Sequence, residues 1–199
     1  MKLFGTVTSP FVRRVRVVAS ELSLDVDRVD TATEAGQLLL AKLNPIRKVP
    51  AAEIDGRTLF DSRVIIDWLT TTRGWGTLAP PRDYWREQNI LNAIDGAADA
   101  AISLFYLKRD GVAIEGSSFA LRQTDRVASI FGWLSTELCA DQSSFRTSGD
   151  FGVPELSLIC MLDWMDFRAA YPIQTAPALL QLRQTWHTRP SLTATHPAR

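Results

Sequence analysis

Residues 44–62, NPIRKVPAAEIDGRTLFDS, decide the fold. Two short strand-like runs, Val49–Ile54 and Arg57–Phe60, flank the pair Asp55-Gly56. An Asp-Gly pair in that position signals a hairpin, because both residues accept the positive φ angles of a tight turn. Asp61-Ser62 then caps a helix running to about Thr72, with Ile65, Trp68 and Leu69 on one face. Upstream, Leu3–Val7 reads as a short buried strand that breaks at Thr8-Ser9-Pro10. A helix follows from Phe11 to Leu22, with Val12, Val15, Ala19 and Leu22 at helical spacing and arginines between them. Leu24–Val29 reads as a second strand, and residues 33–43 as a helix that stops at Asn44-Pro45. The resulting order is β-α-β-α-β-β-α.

Downstream the strand signals vanish. The run GWGTLAPPR at 74–82 holds two glycines and two prolines and reads as a connection. Residues 83–109, 118–140 and 154–170 read as helices, with a fourth near 176–187. The 3.6-residue period is clear in Ile90, Leu91, Ile94, Ala97, Ala98, Ala101 and Ile102. The expected division is an α/β domain at 1–75, a linker at 76–82 and an all-α bundle at 83–199.

Composition narrows the function. Apolar residues make up 46% of the 199, enough for a packed core. The 22 Lys and Arg balance 22 Asp and Glu, and the first 80 residues carry 11 and 9 of them, so neither part is a charged tail. A nucleic-acid partner is not expected, since phosphate binding needs a basic excess. Cys139 and Cys160 are too few for a disulfide framework or a complete zinc site, so no metal is expected, and both read as small core residues in helical stretches. Arg13, Arg14 and Arg16 interrupt the place where a signal peptide would be apolar. No apolar run reads as a membrane span of the usual ~20 residues. The expectation is a cytoplasmic protein without a membrane partner.

Chemistry concentrates at three breaks in the first domain. Ser9 stands where a strand ends and a helix begins, with Pro10 suited to the first helical position. Spacing alone favours a simple N-cap; the functional alternative is a hydroxyl and a positive helix end that together stabilise an anion, such as an ionised thiol. Arg13 and Arg14 fit such an anion, although arginines on a solvated face are the commoner reading. Lys48-Val49-Pro50 is the second break. Base rates favour a trans bond before Pro50, whereas a cis bond would present the Val49 backbone to an extended peptide. Asp61-Ser62 is the third: again an N-cap, or a carboxylate for an ammonium beside a hydroxyl for a carboxylate, the charge pair of an amino-acid head group.

In order along the chain, SPFVRRV at 9–15, NPIRKVP at 44–50 and DGRTLFDS at 55–62 resemble the glutathione S-transferase superfamily. Phrases such as AIDGAADA at 93–100, DWMDFR at 163–168 and RPSLTAT at 189–195 are similar to bacterial members. The resemblance implies a thioredoxin-like domain followed by a helical one, glutathione as cosubstrate, and a homodimer. Ser9 then matches the thiol-activating serine. Val49 and Pro50 match the residue that pairs with the cysteinyl backbone and the family's cis-proline. Asp61 and Ser62 match the pair that holds the γ-glutamyl group, and Lys48 is placed to meet the glycyl carboxylate. Ser9 and Val12 stand where glutaredoxin-like relatives carry two cysteines, which speaks against disulfide exchange by this chain's own thiols.

The implied reaction is transfer of glutathione to a small apolar electrophile. Its pocket is expected between the domains, with Phe11, Phe105 and Tyr106 as candidate lining residues; ordinary core is the alternative for these rings. Trp68, Trp133 and Trp164 read as core. Other readings the resemblance leaves open are a glutathione-binding module with little catalysis, and a glutathione-dependent isomerase or dehalogenase. Two departures stand out. Arg47 replaces a glycine common in related sequences, and Gly152-Val153-Pro154-Glu155 stands where Ser/Thr-x-x-Asp is frequent.

Overall fold

The computed structural model describes residues 1–197. It divides into two compact units, one made of Met1–Pro80 together with the segment from Thr188, the other of Pro81–His187.

In the first unit, β1 (Lys2–Phe4), β2 (Asp27–Val29), β3 (Ala51–Ile54) and β4 (Arg57–Leu59) form one sheet in the order β2-β1-β3-β4. β1 pairs parallel with β2 and antiparallel with β3, and β3 pairs antiparallel with β4. The hairpin is as expected, with Asp55 at φ 48 and Gly56 at φ 73 in the turn. Side chains alternate across the sheet. Phe4 faces a cluster with Leu40 and Ala51, joined by Val29, Leu43, Val49 and Phe60, which brings in α2 (Glu34–Leu43). Helices α1 (Pro10–Glu21) and α3 (Ser62–Arg73) pack on each other. Gly5 allows the close approach of β1 to α1, because a Cβ there would overlap the Val12 side chain.

The segment that begins at Thr188 does not extend the bundle. Helix α8 (Pro190–Ala194) belongs to the first unit, and the reason is polar. Arg13, which is buried, donates from Nη2 to the Leu192 carbonyl at 3.1 Å and from Nε to Thr195 Oγ1 at 3.3 Å. At the other end of α1, Glu21 receives Arg189 Nε and Nη2, both at 2.7 Å, and the hydroxyls of Ser191 and Thr77. The expected linker is also partly fixed: Thr77 donates its N–H to the Glu21 carbonyl at 3.2 Å, and Leu78 is buried.

The second unit contains α4 (Tyr84–Arg109), α5 (Ser118–Thr136), α6 (Val153–Phe167), a short 3₁₀ turn at Ile173–Thr175 and α7 (Pro177–Trp186). Helix α6 is buried from Val153 to Met165. Its start is built around Glu155, whose Oε2 accepts the Gly152 N–H at 2.9 Å while Oε1 accepts from Ser144 Oγ at 2.8 Å and from the Phe145 N–H at 3.0 Å. Glycine stands at 152 because a Cβ there would overlap the guanidinium of Arg146, which is buried in an ion pair with Glu87 at 2.6 Å. By length and composition α4 qualifies as a membrane span, with a mean hydropathy of 1.3, contrary to the expectation that no run comes near. Within the fold its apolar side, including Ile90, Ile94 and Ala97, is buried in the bundle.

Two smaller expectations fail. Helix α5 ends at Thr136, so Cys139 lies in the following turn, half-buried with its thiol donating to Asp141 Oδ1 at 2.9 Å; Cys160 is core. Trp164 is buried, but Trp133 is 40% exposed and Trp68 half-buried.

The α8 latch makes stability pH-dependent. Burial opposes ionisation of Glu21, but the hydrogen bonds from Arg189, Ser191 and Thr77, with the charge of Arg189, hold its pKa below the ordinary 4.5. A carboxylate depressed in the folded state contributes fully above its unfolded pKa and loses that contribution as pH falls through its folded pKa. Glu21→Gln is therefore expected to lower stability by about 1–3 kcal/mol at pH 7 and to flatten the loss of stability below about pH 4.5. Urea denaturation across pH measures both effects.

Candidate functional site

Strand register brings the three breaks to one end of the sheet. Phe4 pairs with Ala51, so the chain leaving β1 toward Ser9 emerges beside the chain entering β3 from Val49-Pro50. Leu59 pairs with Ala52, so β4 delivers Asp61-Ser62 to the same end. Val49 and Phe60, the residues before Pro50 and Asp61, are packed into the Phe4 cluster. Two breaks thus have one side anchored in core.

Ser9 is the N-cap of α1, with φ −71 and ψ 126, and its Oγ accepts the Val12 N–H at 3.3 Å. This contact consumes a lone pair and leaves the hydroxyl hydrogen to be donated. Capping and anion binding are therefore compatible uses of one side chain.

The Val49–Pro50 bond is cis, against the base-rate expectation and in line with the family resemblance. The approach to it is shaped by Asn44, which is 1% exposed. Asn44 Oδ1 accepts the Ile46 N–H at 2.9 Å, and its Nδ2 donates to the Lys48 carbonyl at 2.8 Å. Within that loop Arg47 has φ 56, a left-handed conformation that explains why glycine suits the position. The Arg47 and Lys48 side chains are exposed.

Asp61 caps α3 through Oδ1, which accepts the Arg63 N–H at 2.9 Å, and its side chain is exposed; the Phe60–Asp61 bond is cis. Ser62 is buried, and its Oγ accepts from Arg14 Nε at 2.9 Å and Arg14 Nη2 at 2.6 Å. Arg14 is itself only 3% exposed, and its guanidinium carbon lies 4.9 Å from the centre of the Phe11 ring. The reading of Arg13 and Arg14 as solvated side chains is thus corrected: both are buried and hydrogen-bonded, one toward α8 and the other toward α3. The available signal was their company, since Val12, Val15, Val17 and Val18 leave α1 little polar surface. Asn44 shapes this end of the sheet although motif spacing did not single it out, and Arg14, considered there only as a cation fitting an anion, is bound to Ser62.

The candidate second-substrate residues divide between the units. Phe11 sits half-buried in the first turn of α1. Phe105 is half-buried in α4, with its ring centre 5.6 Å from those of Trp164 and Tyr106, and Tyr106 is 48% exposed. Among the described residues no group of three or more His, Cys, Asp and Glu side chains is placed to hold a metal ion.

Residues 3–77 match the family model of the glutathione S-transferase N-terminal domain. Over 98% of both chains, the fold matches a glutathione S-transferase from Methylobacillus flagellatus with glutathione bound, at 26% identity and a TM-score of 0.83. The first domain is thus similar to the glutathione S-transferase N-terminal domain, and the whole chain to the fold of that family's members. A glutathione transferase family member from Pseudomonas fluorescens Pf-5, with bound glutathione, is 28% identical with a TM-score of 0.83 and 98% coverage of both chains. The uncharacterised GST-like protein YibF of Escherichia coli is 24% identical over 99% of this chain and 98% of its own. A thioredoxin-like unit followed by a helical one is the architecture expected from the order of the motifs.

The Arg14–Ser62 contact can be weighed directly. Arg14→Met leaves the buried Ser62 oxygen without its donors and is expected to lower stability by about 1–3 kcal/mol. Ser62→Ala in the same background should cost less than it does alone, giving a coupling of about 0.5–3 kcal/mol in a urea double-mutant cycle.

Proposed function

We propose that the chain binds glutathione at this end of the sheet, stabilises its thiolate and transfers it to a small apolar electrophile. The observation that carries the proposal is the convergence of Ser9, Val49-Pro50 and Asp61-Ser62 at one sheet end. Ser9 donates its hydroxyl hydrogen to the thiolate, the Val49 backbone pairs with the cysteinyl unit, and Asp61 and Ser62 take the ammonium and carboxylate of the γ-glutamyl group. Lys48, exposed in the preceding loop, meets the glycyl carboxylate. Arg14 occupies Ser62 as an acceptor, so the remaining capacity of that hydroxyl is to donate, which suits a carboxylate.

Magnitudes favour a hydrogen-bonded thiolate over a covalent role for Ser9. A thiol of pKa near 8.5 is mostly protonated at pH 7. A hydroxyl hydrogen bond to an anion contributes about 1.5–3 kcal/mol and a helix N-terminus about 0.3–1. Each pKa unit corresponds to about 1.4 kcal/mol. The sum lowers the thiol by roughly one to three units, enough to ionise a substantial fraction. The thiolate sulfur then bonds to the electrophilic carbon as the leaving group departs with its electron pair. On the resemblance, the proposal extends to a homodimer acting in the cytoplasm, with Phe11, Phe105 and Tyr106 toward the electrophile.

Ser9→Ala is expected to lower glutathione-dependent turnover of an electrophile such as 1-chloro-2,4-dinitrobenzene by about ten- to a hundredfold, the equivalent of one lost bond to a charged group. Asp61→Ala should raise the glutathione concentration needed for half-maximal thermal stabilisation. Unchanged turnover in Ser9→Ala would remove Ser9 from the chemistry. Thermal stabilisation without turnover across an electrophile panel would favour a binding module, and product analysis separates conjugation from isomerisation or dehalogenation.

A further inference from the structure

Lys48 and Val49 share one peptide group, and its carbonyl is held by a buried side chain. Asn44, 1% exposed, donates from Nδ2 to the Lys48 carbonyl at 2.8 Å. Its Oδ1 accepts the Ile46 N–H at 2.9 Å, and its backbone carbonyl accepts the Arg47 N–H at 3.0 Å. Ending α2 does not require that side chain, because the Asn44 backbone N–H already bonds to the Leu40 carbonyl at 2.8 Å. Both side-chain bonds run forward instead, into the loop that leads to Val49. The Lys48–Val49 bond is trans. In a planar trans peptide the C=O and N–H point in opposite directions. A donor fixed on the Lys48 carbonyl therefore turns the Val49 N–H away from Asn44. The Val49 side chain is packed in the Phe4 cluster, which holds the residue from its other side. Among the described residues, neither the N–H nor the C=O of Val49 takes part in a hydrogen bond. The N–H is fixed in direction and free to donate.

We infer that Asn44 is a positioning residue for the backbone of glutathione. It aims the Val49 N–H at the cysteinyl carbonyl and so sets the affinity for ligands that carry that carbonyl. The inference rests on the reading of this end of the sheet as the glutathione site. Asn44 acts only through the peptide group it holds. An asparagine that merely supported the fold would favour every ligand of the site alike. One that aims a single N–H favours only ligands with an acceptor to meet it.

The test is calorimetric titration of the full chain with glutathione, γ-glutamylcysteine amide and γ-glutamylcysteamine. The last two differ only in the cysteinyl carboxamide, and neither carries a glycyl carboxylate for Lys48. Asn44→Asp keeps an acceptor for the Ile46 N–H and loses the donor to the Lys48 carbonyl. It is expected to weaken glutathione and γ-glutamylcysteine amide by about three- to tenfold, the equivalent of one neutral hydrogen bond. γ-Glutamylcysteamine should weaken by less than about twofold. Asn44→Ala is expected to show the same split without adding a charge. Equal weakening of all three ligands, or unchanged affinity for glutathione, would overturn the role of Asn44 alone. Absence of saturable glutathione binding by the unaltered chain would overturn the reading of the site, and this inference with it. Should neither variant fold, amide hydrogen exchange in the unaltered chain decides. The Val49 N–H should then be protected by γ-glutamylcysteine amide and not by γ-glutamylcysteamine, with the Asn44 Nδ2 protons slow throughout. Equal protection by both ligands, or fast exchange at Asn44 Nδ2, would overturn the inference.

Discussion

The antiparallel pairing of β3 with β1 is the constraint on which the rest depends. Phe4 opposite Ala51 fixes both the side of the sheet that receives α2 and the end at which three breaks emerge. A shift of one residue would turn Phe4 away from Leu40 and Ala51 and reverse the burial of every strand side chain. The Phe4 cluster also takes in Val49 and Phe60, the residues immediately before Pro50 and Asp61. The backbone carrying the candidate ligand groups is thereby bonded to core, while Asp61 and Lys48 remain at the surface. Short strands suffice because the loops they deliver are anchored individually.

Helix starts do two jobs here without conflict. Ser9 and Asp61 each accept an amide hydrogen of their own helix, at 3.3 and 2.9 Å. An accepting hydroxyl retains its hydrogen, and a carboxylate retains further lone pairs. The local need to satisfy a helix end and the capacity to bind a charged ligand therefore select the same residue types. That overlap explains why spacing alone could not separate a cap from a binding residue. The order of several such sites along the chain could.

Much of the fold was legible because it is local. The Asp55-Gly56 turn, the period of α4 and the prolines at the starts of α1, α6 and α7 each act within a few residues. What escaped is long-range. Arg13 meets Leu192 across 179 positions, so no nearby pattern reveals that the last helix leaves the bundle for α1. Ser62 and Arg14 are separated by 48 positions, so no local pattern pairs them. The Val49–Pro50 geometry was likewise beyond local reading, since cis and trans X-Pro bonds share one sequence. Arg47 was visible as a departure, but its meaning required the positive φ.

The consecutive arginines of α1 show how local cost and global gain compare. Both lie in the first turns of a helix, where the dipole disfavours a cation by about 0.3–1 kcal/mol each. Both are also buried, which adds desolvation. Against this, each guanidinium makes at least two hydrogen bonds to partners fixed by other elements, Arg13 to α8 and its flank and Arg14 to α3. Bonds to a charged group contribute about 1.5–3 kcal/mol apiece, so the bonds outweigh the dipole. The result is a helix held from two sides near the end that bears Ser9. An anionic ligand at that end would add to the balance, because it meets the helix dipole with the sign the arginines lack. The zero net charge of the chain hides this arrangement: what matters at the site is which cations are buried, and where they are tied.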